Sequence, residues 1–402
     1  MNIKRMISYL MVLFLVGLSF PMDTAATPPT PDPTAEAAIL IDAGSGRVLF
    51  SKNSDQRMAP ASTTKILTAI IALEKGKLSD KVAVGHNAVI VRGTRVYLKE
   101  GEIQTLENLL YAALINSAND AAIAIAEHIG GSIDGFAGMM NQKARAIGGR
   151  DSHFSNPEGL PDEEHYTTAA DLVTIARYAL RNPVFREIVA TWTRDWHGAE
   201  WESRLINQNR LLRYYDGTTG VKTGYTREAG NCLVASARRG DQELIAVLLK
   251  SSGRQIWTDA ENLLDYGFKN FQTVKLVGDG EQVTTLAVNN EQVGAVTTEA
   301  VFFTSDKVDR MEIRRQIKLL PSRHAVRRGQ PVGKVVFTEG GSIVGEVPLV
   351  ASRGTAATGF KGVWWIAAIV LAAILVYAYR RRRLAKMRRN LYRRRYRYRD
   401  DW

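Results

Sequence analysis

Two apolar hairpins at opposite ends of one stretch restrict the fold more than any other feature. "AILIDAGSGRVLFSKN" (38–53) holds two apolar runs joined by Gly44-Ser45-Gly46. "NCLVASARRGDQELIAVLLK" (231–250) holds two more, turning at Arg239-Gly240-Asp241. Short apolar runs bounded by turn residues read as strands. Between them, "TLENLLYAALINS", "DAAIAIAEHIG", "DGFAGMMNQKARAIG" and "TAADLVTIARYAL" repeat apolar residues every three or four positions, the spacing of helices; "WTDAENLLDYGFKNF" does so after them. Strands at both ends with helices between predict an α/β domain over 37–271, an antiparallel sheet with helices packed on it. From Gln272 to Val350 the helical spacing fades into short alternating runs separated by Gly, Asn, Asp and Pro. That predicts a small all-β domain with no catalytic cluster.

The two ends differ in kind from this body. Lys4 and Arg5 precede the apolar run "MISYLMVLFLVGLSF", and "TAA" (24–26) supplies small residues. Residues 1–26 read as a secretory signal, with an uncleaved anchor as the alternative. Residues 27–36, "TPPTPDPTAE", form a stiff linker. At the other end, 351–362 is a second linker. From Val363 to Tyr379 the chain carries no charge, at the short end of the ~17–25 residues that cross a bilayer. Trp364, Trp365, Tyr377 and Tyr379 flank the run as interfacial aromatics do. Residues 379–402 carry twelve Lys and Arg against two Asp, which accounts for most of the chain's net charge of +12. The body is therefore nearly neutral, and nucleic acid is not its partner. The basic tail, 380–402, is expected in the cytoplasm against anionic lipid, with the body outside. Cys232 is the only cysteine, so an exported body holds together by its core and not by a disulfide. The six histidines are scattered singly; no metal or other cofactor is expected.

Three short stretches carry chemistry. "PASTTKILTA" (60–69) sets Lys65 three residues after Ser62 on an otherwise apolar helix. The spacing places both side chains on one helix face; alone, it also fits a solvated lysine behind an N-cap serine. "INSANDAA" places Ser117 and Asn119 where two helical patterns meet. "GVKTGYTREAGNC" places Lys222-Thr223-Gly224 on a strand entering the sheet, followed by Tyr225. Together they form Ser-x-x-Lys, Ser-x-Asn and Lys-Thr-Gly in order, a constellation of penicillin-binding proteins and class A β-lactamases. Lys65 can deprotonate Ser62 if its amine is neutral, and burial together with the charge of Lys222 favours that. Ser117 can relay a proton to the leaving amine. Asn119 can orient Lys65 and hold a substrate amide. Lys222 and Thr223 can bind a carboxylate, and Gly224 lets substrate backbone approach. The N–H groups of Ser62 and Tyr225 can form an oxyanion hole.

With "FSNPEGLPDEEHYTTAADL" (154–172) added, these stretches resemble the serine-type D-alanyl-D-alanine carboxypeptidases of peptidase family S11, the low-molecular-mass penicillin-binding proteins. The resemblance implies a β-lactamase/transpeptidase-like catalytic domain followed by a small β-rich one. It implies attack by Ser62 on peptidoglycan stem pentapeptides, release of the terminal D-alanine, hydrolysis of the acyl-enzyme, and inhibition by β-lactams. Two positions depart from the family. An arginine often found before the last helix of the catalytic domain is replaced by Ile256, with Arg254 two residues earlier as the substitute. The C-terminal segment is apolar all round where many members have an amphipathic helix, so it is expected to span the membrane. A class A β-lactamase and a non-catalytic wall-binding protein are the alternatives. No evident carboxylate is placed to drive water onto an acyl-enzyme, so Lys65 is expected to serve both steps.

Overall fold

A computed structural model describes residues 30–288, 291–308, 312–321, 325–355 and 361–396. The expected signal (1–26), the start of its linker, His324 and the end of the tail lie outside the described residues. The chain divides into two units, Met1–Val274 with Phe302–Met311, and Lys275–Val301 with Glu312–Trp402.

In the first unit the two predicted hairpins share one sheet. Strands β1 (Ala37–Asp42), β2 (Val48–Lys52), β3 (Thr218–Thr226), β4 (Gly230–Arg239) and β5 (Gln242–Ser251) run in the order β2-β1-β5-β4-β3. Every neighbouring pair is antiparallel, and Ala37 pairs with Leu249 across β1 and β5. The period of two explains why 244–249 of β5 are all apolar. Ile245, Val247 and Leu249 face one core, while Leu244, Ala246 and Leu248 face another. The sheet is therefore covered on both sides.

One side meets helix α1 (Lys65–Lys75), with α2 (Leu106–Leu114), α3 (Asn119–Gly130), α4 (Ile133–Ala146), α5 (Ala169–Ala179) and α6 (Pro183–Ala190) around it. The other side meets α7 (Gln255–Asn270), whose Ile256, Ala260, Leu263, Leu264 and Phe268 recur at helical spacing. Side chains cap several helix starts: Thr105, Ser132, Thr168 and Asn182 accept backbone N–H groups of α2, α4, α5 and α6. Helices α1 and α3 are buried along most of their length. The alanines of α3 let it lie close to α1, and each carries one of the chemical motifs at its N-terminal end.

The second unit is built on a five-stranded antiparallel sheet. Its strands are β6 (Gln282–Val288), β7 (Glu291–Thr297), β8 (Ile313–Leu319), β9 (Pro331–Glu339) and β10 (Ser342–Ala351), in the order β6-β7-β10-β9-β8. Leu286, Val293, Val335, Phe337, Val347 and Leu349 form its core. The sequence-predicted all-β character of this region is what the strands show.

Helix α8 (Lys361–Tyr396) follows. Among the described residues no helix is long and apolar enough to cross a membrane, so the span expected over 363–379 is not recovered. Val363 and Trp364, which open that run, lie outside the residues whose side chains are described. The apolar run that remains, Trp365–Tyr379, rises only about 22 Å at ~1.5 Å per residue, against a hydrocarbon core of ~30 Å.

Candidate active site

Ser62 sits in a short 3-10 turn, Ala61–Thr64, that runs directly into α1. Lys65, the first residue of α1, is fully buried. Its Nζ donates to Ser62 Oγ at 2.9 Å, to Asn119 Oδ1 at 2.7 Å and to the Glu158 carbonyl at 2.7 Å. An ammonium has three N–H donors, and here each has an acceptor. Loss of one proton leaves a lone pair aimed at one of these oxygens. Only Ser62 Oγ carries a hydrogen it can return along that line. Burial pushes Lys65 down to about 7, against the opposing pull of the Glu158 and Asp120 carboxylates. The solvated-lysine reading of "PASTTKILTA" is thus excluded by the packing.

Ser117 and Lys222 form a second pair. Lys222 reaches inward from β3, fully buried, and its Nζ donates to Ser117 Oγ and to the Thr223 carbonyl, both at 2.9 Å. Burial, and then the charge of Lys65, hold Lys222 well below its ordinary value. Ser117 adopts a left-handed backbone (φ +66°), unusual for a residue with a side chain. Its hydroxyl is bonded to Lys222. Asn119 is fixed from both ends, with its side-chain amide donating to the Arg92 carbonyl at 2.6 Å and its oxygen facing Lys65. Behind it the buried Asp120 carboxylate accepts the N–H groups of Val96 and Leu98. This holds the segment before α2 against the start of α3.

Gly224 explains why β3 can lie next to the nucleophile. A Cβ there would stand 2.9 Å from the Ser62 nitrogen and 3.0 Å from Ala61 Cβ. The close approach requires glycine. Beyond it, Tyr225 is exposed, and Thr223 donates to Gln208 at 3.3 Å. A cleft of about 640 Å³ lies against this strand, lined by Gln208, Thr223, Gly224, Tyr225, Arg254 and Trp257, among others. Arg254 stands at the N-cap of α7, exposed and without an ion pair among the described residues. Ile256 belongs to the core under α7, which is the structural reason an apolar residue suits that position.

Cys232 lies opposite Gly224 in the strand register, buried, with its thiol pushed up to about 11 by burial. It is a packing residue and not a thiolate. His165 is also buried. Its Nδ1 accepts the Ser155 N–H at 3.1 Å, so its Nε2 carries the hydrogen that Thr64 Oγ1 receives at 2.9 Å. Burial holds it down to about 4, neutral. Among the described residues no cluster could hold a metal ion.

Sequence reasoning used 154–172 only for the family resemblance and gave loop 154–160 no role in the site. Asn156 staples it, its Oδ1 accepting the Gly159 N–H at 2.7 Å and its amide donating to the Leu160 carbonyl at 3.0 Å. Thr68 of α1 donates to the Pro157 carbonyl at 2.6 Å. The loop thereby brings the Glu158 carbonyl to Lys65. The available signal was "NPEGLP", a turn-forming string too rich in Pro and Gly to be a helix; nothing local in it points at a lysine 93 residues earlier.

Known proteins resemble this chain over most of its length. Residues 22–253 match the D-alanyl-D-alanine carboxypeptidase model of peptidase family S11, and residues 271–356 match the C-terminal domain of penicillin-binding protein 5. The D-alanyl-D-alanine carboxypeptidase DacF of Bacillus subtilis is 34% identical over 339 residues, covering 81% of this chain and 87% of that protein. The Escherichia coli D-alanyl-D-alanine carboxypeptidase DacC is 32% identical over 353 residues, covering 83% and 88%. Among solved structures, penicillin-binding protein 5 from Haemophilus influenzae superposes with a TM-score of 0.67 at 27% identity, covering 82% of this chain and 99% of its own. An α/β catalytic unit with Ser-x-x-Lys at its central helix, a C-terminal all-β unit and these likenesses together place the chain in the S11 family of D-alanyl-D-alanine carboxypeptidases.

Proposed function

We propose that this protein removes the terminal D-alanine from peptidoglycan stem peptides ending in D-alanyl-D-alanine, through an acyl-enzyme on Ser62. The observation that carries the reading is the bond between Ser62 Oγ and the fully buried Lys65 Nζ, whose proton affinity lies near neutrality. Neutral Lys65 takes the Ser62 proton as Oγ attacks the penultimate D-alanine carbonyl. The N–H groups of Ser62 and Tyr225 receive the developing oxyanion. Ser117, held by a hydrogen bond from Lys222, relays the proton taken up by Lys65 to the departing D-alanine amine, which leaves Lys65 neutral again. Lys222 and Thr223 hold the substrate's terminal carboxylate, joined by the exposed Arg254 on the cleft wall. Asn119 holds Lys65 and a substrate amide. Water then attacks the ester with Lys65 again as base, giving the shortened peptide and free Ser62. A β-lactam enters the same path, and its opened ring stays tethered where the water should come.

The reading extends to placement: export by residues 1–26, the catalytic unit outside the cell, and α8 seated in the membrane with its basic end on the cytoplasmic side. What supports it is that Ile366, Ile369, Leu371, Ile374, Leu375 and Val376 of α8 are all exposed, on every side of the helix. Such a surface needs lipid or protein cover. Snorkelling arginine stems and a thinned bilayer offset a short apolar run. Protease on protoplasts should remove the body and spare the tail.

The activity is tested with a D-alanyl-D-alanine peptide and labelled penicillin. The expected result is D-alanine release, with one penicillin adduct that Ser62→Ala abolishes. Rapid penicillin turnover without D-alanine release would favour a β-lactamase. Absence of any adduct would favour a binding protein.

A further inference from the structure

Glu158 gives the site more than its carbonyl. The residue is only 5% exposed, and its Oε2 is buried without a hydrogen-bond partner among the described residues. A carboxylate so placed is costly unless a nearby charge compensates it. The loop that carries it is held against the nucleophile's turn by the Asn156 staple, by Thr68, and by Gly159, which has a left-handed backbone and no room for a side chain. The Glu158 carbonyl already touches Lys65 Nζ, so its carboxylate can be no further from that nitrogen than the reach of one side chain.

We propose that Glu158 is a positioning residue that acts through Lys65, its buried carboxylate serving as the counter-charge that sets when Lys65 gives up its proton. This rests on the reading of Lys65 as the base for Ser62. The groups facing Lys65 are Glu158 from the loop, Asp120 from α3, Lys222 from β3 and His165 across Thr64. His165 is neutral. Lys222, held well below its ordinary value by burial and by the charge of Lys65, offers no counter-charge, and Asp120 is engaged by backbone N–H groups. Glu158 is the carboxylate with an oxygen left unsatisfied, and it supplies the largest attraction opposing the burial of Lys65. Burial raises the proton affinity of Glu158 in turn, and Lys65 lowers it, so each holds the other's charge. Without Glu158, burial acts on Lys65 with only Asp120 opposing it. Lys65 then becomes neutral at lower pH. The deprotonated fraction rises in acid, while the amine becomes a weaker base.

The measurement is the pH dependence of acylation by labelled penicillin, for the full chain and for Glu158→Gln and Glu158→Asp. In Glu158→Gln the acid limb should move about one to two pH units lower, the size expected for unit charges a few ångström apart under protein-like screening. The plateau rate should fall as well. Glu158→Asp keeps the charge and should keep the limb near its original position. An unmoved limb in Glu158→Gln, or equal displacement in both variants, overturns the proposal. Failure of Glu158→Gln to fold overturns it too, because the carboxylate is then a structural element. The two readings fail separately. If the unmodified chain is not acylated at Ser62, the active-site reading is wrong. If Ser62 is acylated and the limb does not move, only the role of Glu158 is wrong.

Discussion

Replacing Gly159 by alanine asks whether steric fit between loop 154–160 and the Ser62 turn maintains the site. Gly159 has φ +86°, and a Cβ there would stand 1.9 Å from the Ala61 carbonyl oxygen, 2.4 Å from its carbon and 2.9 Å from Thr64 Oγ1. Two of the three atoms are backbone and cannot swing aside. Gly131, at the C-terminal end of α3, has φ +73° and open space around the same position. It therefore isolates the cost of the left-handed backbone, ~1–2 kcal/mol for alanine. Gly159→Ala bears that cost and an overpacking term of ~1–3 kcal/mol more. At roughly 2–4 °C per kcal/mol for a unit of this size, it should melt about 2–12 °C below Gly131→Ala.

The chemical effect should separate the two variants further. Moving the loop withdraws the Glu158 carbonyl from Lys65 and the Pro157 carbonyl from Thr68, so one Lys65 donor is left unpaired. Labelled penicillin should acylate Gly159→Ala at least tenfold more slowly, while Gly131→Ala should keep the original rate. Thermal unfolding and stopped-flow acylation read the two effects. Equal melting temperatures with equal acylation rates would refute the claim that this contact positions the loop.

Lys65→Ala should slow acylation by ~10²–10⁴-fold, the range of general-base catalysis, measured with the same label. For the unmodified chain kcat/KM for D-alanine release should climb with pH through about 7, as Lys65 becomes neutral; a profile flat from pH 5 to 9 would count against that role. Stability should rise over part of the same range. The folded value of Lys65, about 7, lies below its ordinary 10.5, so between them the unfolded chain binds more protons and alkali favours the folded state. Lys65→Met should lose that component of the pH slope in denaturant titrations. Arg254→Ala should raise KM for the peptide about ten- to a hundredfold with kcat little changed, in keeping with ~1.5–3 kcal/mol for a charged hydrogen bond.

Much of the sheet was legible because β-strands announce themselves locally. The turns at 44–46 and 239–241 and the apolar runs beside them predicted β1, β2, β4 and β5. The residues of the Ser-x-x-Lys, Ser-x-Asn and Lys-Thr-Gly stretches were legible by type and order. Their meeting was not, because it depends on α1, α3 and β3 packing together across more than a hundred residues. The pairing of Ser117 with Lys222 is set by that packing, and no spacing in the sequence encodes it. Glu158 was illegible for a related reason. Its importance lies in a carbonyl, which every residue has, and in a burial produced by Gly159 and Asn156. The apolar character of α8 was plain, but hydropathy over its described residues falls short of a membrane span.

The site also shows why this fold commits so much of its core to two charged residues. Holding Lys65 near 7 instead of 10.5 costs about 5 kcal/mol at neutral pH or below, at ~1.4 kcal/mol per unit. Lys222 adds to the same burden. A domain with one cysteine has no internal disulfide to offset it, and the packed cores on both faces of the sheet do so instead. The expense falls where the chemistry needs it. A solvated lysine at 10.5 would almost never be neutral enough at physiological pH to accept the Ser62 proton. A lysine buried with no acceptors would be neutral but too weak a base to matter. The carbonyl of Glu158, the amide oxygen of Asn119 and the opposing carboxylates bring it back to the middle of that range. Burial lowers the proton affinity and these acceptors limit the fall, so catalytic strength and loss of stability both depend on the same few contacts around Lys65.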